Sequence, residues 1–143
     1  MNWRKTAFGT VAVAWLGLLA TTTSAGLETF ANYTNSGSSY VTNTFVGQDG
    51  STWTAAACRG DIAVNGKAPT IRNVVNAYIR SGTITGGVGS LTFKYRKPFT
   101  GTTMSNKVLV VGSAGAYTNY VAQVPSTTNE ILTFTAAAVN IEG

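Results

Sequence analysis

Turn-forming clusters recur along this chain between segments that alternate like strands, and no other feature limits its fold so strongly. Asn35-Ser36-Gly37, Gly47-Gln48-Asp49-Gly50, Asn65-Gly66, Gly86-Gly87-Val88-Gly89 and Gly115-Ala116 punctuate the sequence. Glycine reaches the positive φ that tight turns need, and Asp-Gly between alternating apolar and polar runs is a strong local sign of a hairpin. The intervening segments are rich in Val, Thr, Ser, Phe and Tyr, residues that suit a pleated surface. With 16 glycines, only 3 prolines and no internal repeat, the composition points to short strands rather than helices or a solenoid.

Each segment between turns has the period of a strand. Residues 27–33 (LETFANY) are expected to form the first, and residues 39–46 (SYVTNTFV) and 51–57 (STWTAAA) a hairpin across Asp49-Gly50. Residues 67–73 and 77–81 give two further short strands. In residues 90–99 (SLTFKYRKPF), Leu91, Phe93 and Tyr95 fall on one face and Thr92, Lys94 and Arg96 on the other, which predicts an amphipathic strand with a basic outer face. Residues 107–111 (KVLVV) are apolar enough for burial on both faces, and residues 119–124 and 130–135 complete the set. No window carries a capped amphipathic helix. The expectation is an all-β fold, a jelly-roll-like sandwich of two antiparallel sheets over residues 26–143. Residues 138–143 read as a strand just starting, so the module is expected to lack its closing strands.

The first 25 residues read as a leader rather than as part of that fold. Arg4 and Lys5 precede an apolar run of 14 residues (7–20), and Thr23-Ser24-Ala25 offers small side chains for cleavage. The run is shorter than the roughly 20 residues that span a bilayer. Export and a secreted, extracellular location follow, with no stable membrane insertion after cleavage. The formal net charge is +5, of which Arg4 and Lys5 belong to the leader, so nucleic acid is not an expected partner. The single cysteine, Cys58, cannot close an internal disulfide and follows three alanines, which predicts a small buried hydrophobe.

Several motifs together carry a resemblance. Glu28-Thr29-Phe30, then Gly47 with residues 49–54 (DGSTWT), Arg59-Gly60-Asp61, Gly66-Lys67-Ala68 with Ile71-Arg72, and residues 86–99 stand in an order that resembles a β-sandwich accessory module of secreted multidomain bacterial proteins. Such modules sit beside nuclease, protease or carbohydrate-active domains and are similar to carbohydrate-binding and adhesin domains. The resemblance implies a continuation past residue 143 and neighbouring domains in a longer chain.

Chemistry has few places to reside. Histidine is absent and acidic residues number 5, which removes most routes to a catalytic triad or a zinc centre. A non-catalytic binding module for carbohydrate or cell-surface polysaccharide is therefore expected, with a structural spacer or accessory domain of a larger secreted enzyme as the alternative. Tyr117 and Tyr120, beside the Gly115-Ala116 turn, are the expected sugar-stacking rings, chosen over Tyr33, Tyr40, Trp53 and Tyr78. Lys94 and Arg96 on the basic strand and Arg59 are the expected contacts for an anionic ligand. Arg59-Gly60-Asp61 matches an integrin-recognition tripeptide, but a structural turn with Gly60 at positive φ is the expected reading. Calcium is the one cofactor the composition leaves open, and Glu28, Asp49 and Asp61 are the carboxylates available to hold it, although their spacing fits no known loop.

Overall fold

The structure, a computed structural model, describes residues 26–100, 106–112, 117–137 and 139, with backbone alone for 106 and 117–121. The expected leader over residues 1–25 lies outside the described residues, as do residues 138 and 140–143 of the expected closing segment.

Among the described residues there are eight strands: β1 (Val41–Val46), β2 (Thr52–Arg59), β3 (Thr70–Ile71), β4 (Tyr78–Ser81), β5 (Leu91–Arg96), β6 (Asn106–Val111), β7 (Tyr117–Ala122) and β8 (Ile131–Ala136). The chain is all-β, as expected, and every strand pair is antiparallel. The described pairings divide into a sheet of β1 to β4 built around β2, a β5-β8 pair and a β6-β7 pair.

The β1-β2 hairpin closes where Asp49-Gly50 predicts. Gly50 holds φ 81°, its N–H donates to Gly47 O at 3.1 Å, and Gly47 N donates to Ser51 O at 2.8 Å. The Asp49 carboxylate accepts from Ser51 N at 3.0 Å and from its hydroxyl at 2.7 Å, which locks the turn and holds the Asp49 pKa below its ordinary value.

Further along the same pair the register shifts. Val41 faces Cys58 and Asn43 faces Ala55, so Thr42 alone stands opposite Ala56 and Ala57. This is a β-bulge, with Ala57 at φ 51°, its N–H donating to Thr42 Oγ1 at 3.3 Å and its carbonyl accepting from Arg72 N at 3.0 Å. The extra residue lets Ala55 and Cys58, three positions apart, both enter the core, where each is wholly buried. On the other edge of β2, β4 and β3 lie end to end, and residues 72–77 loop outward between them opposite the bulge.

Residues 27–33 do not form the expected strand. Phe30 adopts φ 56°, and Tyr33 N donates to Phe30 O at 3.0 Å to close a turn. An extended chain would send Phe30 and Tyr33 to opposite faces, whereas both rings are used in one core. Tyr33, Phe45, Ala55 and Cys58 form its buried centre, with Phe30, Trp53 and Ile79 packed against it. Ring centroids lie 6.1 Å apart for Phe30 and Phe45, 5.7 Å for Tyr33 and Phe45, and 5.7 Å for Phe30 and Trp53, all edge-to-face. Lys67 ties the turn down, its Nζ donating to Tyr33 O at 2.8 Å.

A second cluster joins Val110, Ala136 and Val139 with Val88, Leu91 and Phe134. Phe93 stacks on Phe134 across the β5-β8 pair at 5.0 Å, on the inner face that alternation predicts. The expected two-sided burial of residues 107–111 is not found. Val110 is buried, but Leu109 and Val111 are 55% and 61% exposed, because strand alternation turns them from the face that Val110 packs.

Candidate functional site

The outer face of the first sheet carries the most concentrated chemistry among the described residues. Ile79 packs on the core, so Tyr78 and Arg80 on either side of it point outward, opposite Ala56 and Thr54. The Arg80 guanidinium lies 5.4 Å from the Tyr78 ring centroid. Cys58 is likewise inward, and alternation turns Arg59 out. There its guanidinium stands 5.5 Å from the Tyr40 centroid and 5.3 Å from that of Phe99. Arg72, at the root of the outward loop, reaches the same Tyr40 ring at 5.4 Å. Arg59 and Arg72 thus share the Tyr40 ring, with Phe99 also on Arg59, and Arg80 pairs separately with Tyr78, all at distances where ring quadrupoles attract cations.

Only one of these cations has an acidic partner. Arg59 forms a two-pronged pair with Asp61, its Nε donating to Oδ1 at 2.6 Å and its Nη2 to Oδ2. The hydrogen bonds to Arg59 pull the Asp61 carboxyl below its ordinary pKa, and the bonds from Asp61 raise that of Arg59. Arg59–Asp61 is the one ion pair among the described residues, and Arg72 and Arg80 are exposed with no carboxylate partner. The sequence explains this bias: no Asp or Glu stands between Asp61 and Glu130, while seven lysines and arginines do. Beside the cluster, Lys97, Thr100, Ser126, Thr127 and Thr128 line an open cavity of about 200 Å³, with Phe99 between Lys97 and Thr100 in sequence.

The Arg59-Gly60-Asp61 tripeptide is closed on itself by the Arg59–Asp61 pair. Gly60 is required by proximity and not by a positive φ. A Cβ there would lie 1.8 Å from Asn35 O, and Asn35 is held by Nδ2 bonds to Ser39 O at 3.0 Å and Cys58 O at 3.1 Å.

The other expected ligand contacts stand on separate elements, β5 and β7. Lys94 is exposed on β5 as expected, but Arg96 is only partly exposed, and its buried Nε has no hydrogen-bond partner, so it is not part of a solvated basic face. Tyr117 and Tyr120 belong to β7, opposite Val111 and Val108, and not to a loop; their side chains lie outside the described residues. Glu28, Asp49 and Asp61 do not converge on a calcium site. Glu28 accepts from Phe30 N at 2.5 Å and Gln48 N at 3.0 Å, Asp49 caps the hairpin turn, and Asp61 holds Arg59. No group of three His, Cys, Asp or Glu residues suited to a metal is present among the described residues. Cys58 is buried as expected, with its thiol pKa pushed up to about 11 by desolvation.

Sequence reasoning passed over Arg72 and Arg80 as ligand contacts, and weighed Phe99 only with the basic run that precedes it. The Tyr78-Ile79-Arg80 alternation held the signal for one of them, since an inward Ile79 sends both neighbours outward. Comparison of the chain with protein-family models, curated proteins and solved structures found no match. The resemblance to secreted accessory modules therefore rests on the quoted residues alone.

Proposed function

We propose that this protein is a non-catalytic, exported binding module for an anionic carbohydrate such as a cell-surface polysaccharide. The observation that carries this reading is the cluster of Arg59 and Arg72 with Tyr40 and Phe99, together with the Arg80–Tyr78 pair on the outer face of the first sheet. An aromatic face offers a flat apolar surface to the C–H side of a pyranose, and a guanidinium pairs in two-pronged fashion with a carboxylate or sulfate. The adjoining hydroxyl-lined cavity with Lys97 adds donors suited to sugar oxygens.

A glycan array that includes uronic-acid and sulfated polysaccharides tests it. Binding of at least one anionic glycan is expected, weakened about tenfold or more by Tyr40→Ala and by Arg72→Ala. No anionic glycan above background would overturn the reading. A spacer within a larger secreted protein is the second reading, favoured by one observation: Arg59 is already satisfied by Asp61 and two rings, as a purely structural latch would be.

A further inference from the structure

Residues 72–77 leave the edge of β2 after Ile71 and return with Tyr78, a six-residue excursion opposite the bulge. Its course is fixed by hydrogen bonds: Arg72 N to Ala57 O at 3.0 Å, Val74 N to Arg72 O at 2.9 Å, and Ala77 N to Val74 O at 3.2 Å. Val75 is 100% exposed and Val74 47% exposed. A lone exposed apolar side chain is ordinary. Here two stand together on a braced protrusion, and Arg72 and Arg80, each over a tyrosine ring, flank it on both sides. Neither the loop nor β4 contains an acidic residue.

We infer that this loop docks the protein on an anionic lipid surface. Val74 and Val75 enter the boundary between headgroups and acyl chains, while Arg72 and Arg80 lie among the lipid phosphates. Arginine and tyrosine have an apolar body and a polar end and settle at headgroup level, whereas short aliphatic side chains go deeper. Two valines offer too little area for the core of a stable protein interface, and the surrounding charge has the sign that anionic lipids attract. The attachment is interfacial, by a loop tip, and spans nothing. It shares Arg72 and Arg80 with the proposed sugar face, but Val74 and Val75 belong to no part of that face, so substitutions at the valines test lipid docking separately from glycan recognition.

Vesicles of phosphatidylcholine alone and of phosphatidylcholine with phosphatidylglycerol provide the probe. Co-sedimentation with the anionic vesicles only is expected, reduced about tenfold or more by Val75→Asp and by Val74→Asp. Both positions are exposed, so these variants are expected to keep the parent's melting temperature and its glycan-array profile. A polarity-sensitive dye on Val75→Cys, which labels selectively because Cys58 is buried, is expected to brighten and shift to the blue on the same vesicles. Three results would each overturn the inference. They are equal or absent binding to the two vesicle types, binding that persists unchanged in Val75→Asp, and a self-associated dimer that Val75→Asp disperses.

Discussion

At Gly60 a single hydrogen atom is all the space that the backbone of Asn35 leaves. A methyl group there must displace a carbonyl that is itself anchored by the Asn35 side chain, since its Cβ would come within 2.8 Å of the Asn35 carbonyl carbon as well as meeting the oxygen. Gly60→Ala is expected to cost about 2 kcal/mol or more, read from the denaturant midpoint. An unchanged midpoint would mean the segments around Asn35 and Gly60 separate at little cost. Cys58 gives a pH signature. Burial raises its thiol from 9.0 to about 11, so between those values the unfolded chain releases a proton that the folded chain retains. Stability is therefore complete below pH 9 and falls as pH rises, by at most about 1.4 kcal/mol per pH unit. Tyr33, also raised by burial, acts in the same direction. Cys58→Ala is expected to flatten the alkaline decline in stability measured by urea unfolding; an identical slope in both proteins would remove the thiol as its cause.

The bulge in β2 is the element on which the candidate site depends. Without the extra residue, strict alternation would set Ala55 and Cys58 on opposite faces, and either the core would lose one of them or Arg59 would turn inward. Ala57 bears the strain of this arrangement in a left-handed conformation that disfavours a Cβ by about 1–2 kcal/mol. Ala57→Gly relieves it, less the entropy that glycine loses on folding, and is expected to raise the melting temperature by a few degrees. Ala57→Val, with a branched Cβ at the same φ, is expected to lower it. If the two variants changed stability in the same direction, the strain account of the bulge would fail. The same bulge faces the root of the 72–77 loop through the Ala57 carbonyl, so one irregularity sets both the outward arginine and the outward valines.

Along the chain charge is distributed unevenly, with no acid between Asp61 and Glu130 and seven cations in that stretch. Complementary anionic ligands are attracted over distances of the Debye length, about 10 Å at 0.1 M salt. Glycan binding is accordingly expected to weaken as salt rises, measured by titration calorimetry at several ionic strengths; salt-independent affinity would assign recognition to the rings alone. Far-UV circular dichroism of residues 26–143 is expected to show strand signal with almost no helix, and a helical spectrum would contradict the all-β architecture.

By itself the sequence determined the strand content, the Asp49-Gly50 hairpin, the inner face of β5 and the burial of Cys58. These depend on local propensity, turn chemistry and a period of two, all of which act over a few residues. Tertiary structure decided the rest. Residues 27–33 alternate like a strand, yet they turn because one aromatic core takes both Phe30 and Tyr33. Leu109 and Val111 look buried in sequence but are exposed, since apolar composition does not say whether both faces of a strand are covered. The carboxylates available for calcium were consumed separately, by two turns and an arginine. Arg59, Arg72, Tyr40 and Phe99 come from separate segments of the chain. Nothing local encodes their meeting, because it follows from strand register, and register was set by the bulge at Ala57 and by which side chains the core accepted.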